Sequence, residues 1–189
     1  MGNNNNLPAA TRRLFLQRSL IAMAAIAASP IISTQGFAAT GETSKVPALK
    51  TLTADDYRIL SAVSDAIIPS GGAFPTGALD IDLAARIDSY IPPEDTDLIQ
   101  GIRGALMFIE HKAPSLVGKE GLFSQLSIQD REALLLTLRD AGGDATSVFA
   151  ALRGLNLFYF YTDDNVWPHI GYEGPLVKRG KPVYPQVGS

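Results

Sequence analysis

Cysteine is absent from the 189 residues, and histidine (two) and tryptophan (one) are scarce. The missing thiol excludes a cysteine nucleophile, thiolate-ligated zinc or iron–sulfur clusters, and haem attachment through Cys-x-x-Cys-His. It also excludes disulfide stapling, even in an oxidising compartment. Only His111 and His169 can supply an imidazole. No His-x3-His or Glu-x-x-His pair sets two ligands on one helical face. A site using His169 with Asp163 or Asp164, in a self-standing enzyme or ligand-binding protein, is the competing reading; a turn at Asp163-Asp164-Asn165 is the simpler one. There is no Gly-x-Ser-x-Gly elbow, and Ser70-Gly71-Gly72 reads as a loop between helices. Without a strand leading into Gly-x-Gly-x-x-Gly, the chain has no flavin or nicotinamide cradle of its own, so no cofactor is assigned to it.

Long apolar runs are also lacking, with one exception near the start. Residues 20–32, "LIAMAAIAASPII", make 13 apolar-rich positions interrupted by Pro30. That is short of the ~20 residues a membrane-crossing helix needs. A polar, Asn-rich segment precedes it, and a small-residue exit, "STQGFAA", follows. This is the layout of a signal peptide over residues 1–38, cut before Ala39; an uncleaved anchor is the alternative. Within "TRRLFLQ", Arg12 and Arg13 are followed by Phe15 and Leu16. The paired arginines with Phe-Leu and the mild apolarity of "AMAAIAAS" favour the twin-arginine route, which exports folded cargo, and a periplasmic destination. Residues 39–189 hold 13 basic and 19 acidic side chains. No basic patch is left to hold a phosphate backbone, so nucleic acid is not an expected partner.

The remainder reads as one all-α domain of about five helices over residues 53–162, after a flexible linker at 39–52. Thr53 caps the first helix, with Asp55 and Asp56 in its first turn and Ile59, Leu60, Val63 and Ile67 on its apolar face. The second spans 79–91, with Leu79, Leu83, Ile87 and Ile91 on one stripe. The third runs over 95–113 through Leu98, Ile102, Leu106 and Ile109. The fourth begins at Ser127 and stops at Gly142-Gly143. The fifth is capped by Asp144, keeps Val148, Leu152, Leu155 and Tyr159 in register, and ends in Phe158-Tyr159-Phe160-Tyr161. Apolar all round, it is either a central core helix or a helix buried against a partner. From 163 to 189 the chain turns Pro/Gly-rich with Trp167, Tyr172 and Tyr184, and reads as an extended tail. Aromatic anchors on such a tail suit it to another protein's surface.

A folded-cargo signal on a chain without a cofactor implies that the cargo is a complex. Three stretches carry a resemblance that fits: "TRRLFLQRSL", "LTADDYRILSAVSDAIIPSGG" leading to "IDSYI", and "WPHIGYEGP". Over about residues 50–178 the chain resembles the gluconate 2-dehydrogenase subunit 3 family, which includes small subunits of bacterial fructose and glucose dehydrogenases. The family's Trp…Ile-Gly-Tyr-x-Gly-Pro pattern falls on Trp167, Ile170, Gly171, Tyr172, Gly174 and Pro175; Glu173 departs from the proline often found there. The resemblance implies a heteromeric periplasmic dehydrogenase whose large, glucose–methanol–choline-type subunit carries FAD. A multihaem cytochrome c often forms a third subunit. The small subunit is implied to supply the signal to the twin-arginine translocase and to stabilise the flavin subunit, with no catalytic residues of its own. Phe158, Tyr159 and Tyr161, with the six pattern residues, are the expected partner-binding set.

Overall fold

The computed structural model describes residues 47–72 and 75–175, and these are all helix and turn, without a strand. The order is α1 (Ala54–Ile67), a 3-10 turn (Leu79–Ile81), α2 (Leu83–Tyr90), α3 (Thr96–Met107), a π-helical turn (Phe108–Lys112) and α4 (Ala113–Leu116). A 3-10 turn (Phe123–Gln125), α5 (Ile128–Asp140), α6 (Gly143–Tyr161) and a last 3-10 turn (Trp167–Ile170) follow. α1 is the hub, touching α2, α3, α5 and α6, while α6 also packs on α2 and α5.

α1 forms where its cap dictates. Thr53 Oγ1 accepts from the Asp56 amide at 3.1 Å, and the Asp56 carboxylate accepts the Thr53 amide at 2.9 Å. This reciprocal cap satisfies two amides that a helix start leaves open. Ile59, Leu60 and Val63 then fall on one side and are buried.

The single helix expected over 79–91 is two pieces. Asp82 takes a left-handed conformation (φ 46°, ψ 56°) and its carboxylate caps α2. The break rotates the preceding turn, so Leu79, expected on the buried stripe, is exposed, while Leu83, Ile87 and Ile91 stay in the core. The third helix continues past its expected end at 113 as far as Leu116, by way of the π turn. Pro114 explains the wider turn: it has no amide to donate to residue 110, and its ring would strike that carbonyl in α register. The Ala113 amide instead reaches Phe108 O, five residues back.

The widened turn aims Glu110 inward, where it is almost fully buried. Its carboxylate accepts the Ser124 amide at 3.0 Å and hydroxyl at 2.6 Å, and pairs with Arg58 Nη1 at 3.1 Å. Arg58 also bonds the Ser124 hydroxyl. This network fixes the Phe123–Gln125 turn, which no spacing in the sequence marks, and seats Phe123 in the core.

Ser127 caps α5 as expected, accepting the Asp130 amide at 3.2 Å. Gly142 and Gly143, both at positive φ (79° and 56°), end it. The cap of α6 is Gly142 rather than Asp144, which lies in the first turn. Its core stripe is Val148, Leu152, Asn156 and Phe160; Leu155 and Tyr159 are only half-buried. Asn156 is tolerated inside because its oxygen accepts from Ser64 Oγ (2.5 Å) and its amide donates to Leu152 O (2.8 Å).

The end of the segment read as a flexible linker is held. The Asp88 carboxylate accepts the amides of Lys50 (2.5 Å), Thr51 (3.0 Å) and Leu52 (2.7 Å) and the Thr51 hydroxyl (2.7 Å). Burial is the strongest single influence on this carboxyl and raises its pKa. The hydrogen bonds from Lys50, Leu52 and Thr51 together outweigh it and leave the pKa below the ordinary value.

A candidate partner-binding ledge

The residues expected to touch a partner gather where α6 ends. Arg86, on α2, organises that end: its Nη1 pairs with Asp163 at 2.9 Å, while Nε and Nη2 donate to Tyr159 O (3.2 Å) and Thr162 O (2.8 Å). A cation on the last carbonyls of a helix satisfies open acceptors and suits the helix dipole. Asp163 accepts the Asn165 amide, and fully buried Val166 plugs the start of the following turn into the core.

Residues 163–172, expected as the start of an extended tail, are therefore a folded hook. Trp167 Nε1 donates to Tyr161 O at 3.0 Å, and the Tyr172 amide returns to Trp167 O at 3.0 Å. The Trp167 and Tyr172 rings meet edge to face, 5.2 Å apart at 80°. Gly174, at φ 90°, lies against the indole so closely that a Cβ there would stand 2.8 Å from Trp167 Cζ3. That is a physical reason for glycine at this position of the "GYEGP" stretch. Gly171, also at positive φ (68°), closes the 3-10 turn.

A second aromatic group flanks the first. Tyr159 stacks on Tyr90 (5.3 Å, 29°), Phe158 meets Tyr159 edge-on (5.1 Å), and Arg86 sits 5.6 Å over the Tyr90 ring. Burial, then the neighbouring Tyr90, pushes the Tyr159 hydroxyl above its ordinary pKa. Phe158 is 63% exposed, Tyr90 56%, Tyr161 44%, Ile170 43% and Tyr172 42%. Phe158 and Tyr161, three apart, are neighbours on the helix surface and bridge the two groups into one ledge. Large exposed aromatics gathered on one side are the arrangement that distinguishes interaction surfaces from scattered apolar positions.

Of the expected set, Phe158, Tyr161, Ile170 and Tyr172 are exposed on this ledge, and Tyr159 and Trp167 are half-buried by intramolecular packing. Gly171 and Gly174 shape the hook, and Pro175 is the last described residue. Arg12, Arg13, Phe15 and Leu16 lie outside the described residues. Tyr90 and Arg86 were not anticipated. The available signal was that "IDSYI" puts Tyr90 three residues from Ile87, off the stripe of Leu83, Ile87 and Ile91.

Two residues of the competing site face other groups. The Asp163 carboxylate faces Arg86, and His169 Nε2 lies 3.3 Å from Thr76 Oγ1. Among the described residues no group of three or more His, Asp or Glu side chains is placed to hold a metal. Ser70 spends its hydroxyl on Asp80 (2.7 Å), which also accepts the Gly77 amide (2.6 Å), so the loop is stapled rather than poised for attack. A shallow depression of about 300 Å³ is lined by Lys50, Thr51, Pro93, Thr96, Ile99, Gln100 and Arg103. Its two cations are engaged: Arg103 with Asp56 and Thr51 O, Lys50 with Ser89 O.

In comparison with known proteins, a family model described as gluconate 2-dehydrogenase subunit 3 matches residues 54–174. The matched span begins with α1 and ends at the glycine under the indole, so it takes in both the helical body and the hook. No curated protein and no solved structure matches the chain.

Proposed function

The chain belongs to the gluconate 2-dehydrogenase subunit 3 family, and from that premise we propose that it is a non-catalytic escort. Its cargo is an FAD-bearing, glucose–methanol–choline-type dehydrogenase subunit acting on a sugar, a sugar acid or another alcohol. Membership makes the chain a small subunit of a dehydrogenase complex. The escort reading adds a route: Arg12, Arg13, Phe15 and Leu16 address the pair to the twin-arginine translocase, and the complex works in the periplasm. A cytochrome c joins as a third chain where the complex has one.

The observation that carries this reading is the ledge within the matched span, folded so that it presents aromatics outward. The flavin is assigned to the partner because the described residues contain no strand–glycine loop–helix unit that would cradle a pyrophosphate. Haem is assigned elsewhere because there is no cysteine for covalent attachment. Within the complex, this chain's part is to bury the ledge against the flavin subunit, with Phe158 and Tyr161, presented from α6, among the anchors.

Co-expression with a glucose–methanol–choline-type flavoprotein from the same genome tests the reading. The expected product is a yellow complex that co-purifies through a tag on this chain and shows flavin absorption, plus haem bands if a cytochrome joins. A colourless, monomeric chain in the presence of soluble flavoprotein sinks it. Replacing Arg12 and Arg13 by Lys should strand both subunits in the cytoplasm; continued export of the flavin subunit would refute the escort role.

A further inference from the structure

The two aromatic groups of the ledge come from separate parts of the chain, and one guanidinium lies between them. Tyr90, Tyr159 and Phe158 make the first group, and Trp167 with Tyr172 the second. Tyr90 belongs to α2, whereas Trp167 belongs to the hook that follows α6. Arg86 uses all three of its nitrogens here. Nη1 pairs with Asp163 of the hook, Nε and Nη2 donate to the Tyr159 and Thr162 carbonyls, and the guanidinium sits over the Tyr90 ring. The side chains of Arg86 and Asp163 are only 22% and 10% exposed, so the pair is largely removed from water. Charge-assisted bonds in such surroundings are strong and demanding in geometry. Two further carbonyls at this helix end are also taken: Phe160 O accepts the Asp163 amide, and Tyr161 O accepts Trp167 Nε1. α6 therefore ends in a junction closed by α2 and by the hook, and Phe158 and Tyr161 stand on its last turn.

We infer that Arg86 is the positioning residue of the ledge: its fork locks the hook and the Tyr90–Tyr159 stack into one surface, and capture of the partner depends on that lock. Arg86 does this without adding a ring to the surface. Lysine is no substitute, because its ammonium is a point charge on a flexible stem. It lacks the planar spread that serves two carbonyls and a carboxylate at once, and the flat face that covers a ring. A surface fixed before the encounter spares the complex the entropy of ordering a loop and its side chains on binding. The effect on capture rests on the proposed function; the locking of the two aromatic groups does not.

The test is Arg86→Lys in the purified chain, with Asp163→Asn as a milder variant that leaves the guanidinium on its two carbonyls. NMR order parameters of the backbone amides are measured over 165–172 in the hook and over α1 as the reference. In Arg86→Lys the hook should drop from about 0.85, the value of rigid backbone, to below about 0.6, while α1 stays as in the parent. The near-UV circular dichroism of Trp167, the chain's one tryptophan, should weaken with it. Asp163→Asn should move both readings the same way by less, and it decides on the same readings if Arg86→Lys does not fold. Capture of a co-expressed glucose–methanol–choline-type flavoprotein should fall about tenfold in Arg86→Lys, with every ring of the ledge still present. A hook as ordered as the parent's in both variants would overturn the inference, even if the urea midpoint fell, because Arg86 would then be a general prop of the fold. So would a loosened hook with undiminished capture. Phe158→Ala keeps the two ideas apart. If it loses capture while Arg86→Lys does not, the escort stands and the positioning role falls. If the parent captures no flavoprotein, the escort reading falls, and hook order alone decides whether Arg86 locks the ledge.

Discussion

Phe158 and Phe160 are the same residue two positions apart on one helix, and the fold treats them oppositely. Phe160 is wholly buried in the core, while Phe158 is 63% exposed on the ledge. Two residues along an α-helix turn a side chain by about 200°, so a helix packed on one side must send one of them inward and the other out. The pair represents two regions. The interior has its polar groups satisfied, with Asn156 on Ser64, Glu110 on Arg58 and Ser124, and no buried side-chain donor or acceptor left over among the described residues. The ledge keeps aromatic area outside, the kind of surface that association would bury.

The sharpest way to break that contrast is Phe160→Ala. Truncating a fully buried phenylalanine should cost about 3–5 kcal/mol, read as a lower urea midpoint, and a change below about 1 kcal/mol would mean that α6 is not anchored as described.

Next is Asp88→Asn, which keeps the shape but weakens the acceptor of three amides; a loss of about 2 kcal/mol is expected for charge-assisted bonds. Its pH dependence has a definite sign. Because the folded pKa is lowered, the stabilisation is fully present above the unfolded value near 3.8 and fades as pH falls through the folded value. Acid unfolding below about pH 4 should therefore be shallower in Asp88→Asn than in the parent, and superimposable acid limbs would refute the role.

The smallest effect on stability belongs to Phe158→Ala, within about 0.5 kcal/mol of the parent. Its capture of the flavin subunit should nonetheless weaken by about 2 kcal/mol. If stability fell and capture held, the two phenylalanines would have exchanged roles.

Helix existence was legible wherever cap and spacing agreed. Thr53 with Asp56, Ser127 with Asp130, and Gly142-Gly143 are local signals, and each governs hydrogen bonds within about four residues of itself. The misreadings occurred where an unusual backbone turn or a distant partner decides. Leu79 fits the stripe by spacing, but the left-handed Asp82 rotates it out. The third helix was expected to end at 113, yet a π turn carries it past Pro114 to Leu116. Residues 50–52 looked free, yet Asp88 holds them from 36 to 38 residues away. For the ledge, the aromatic run and the "WPHIGYEGP" stretch could be seen in sequence. Tyr90 and Arg86 could not be assigned to it, because they come from α2.

By itself, then, the amino-acid sequence determined the helical class, most helix starts, the absence of cysteine chemistry and the family, because composition, caps and motif order are properties of neighbouring residues. The tertiary structure alone decided which half of α6 faces outward, that Arg86 ties the end of α6 to α2, and that the chain after Asp163 closes into a hook around Trp167. Those outcomes depend on which surfaces meet, and helical spacing is nearly indifferent to that when, as at 158–161, every position is aromatic.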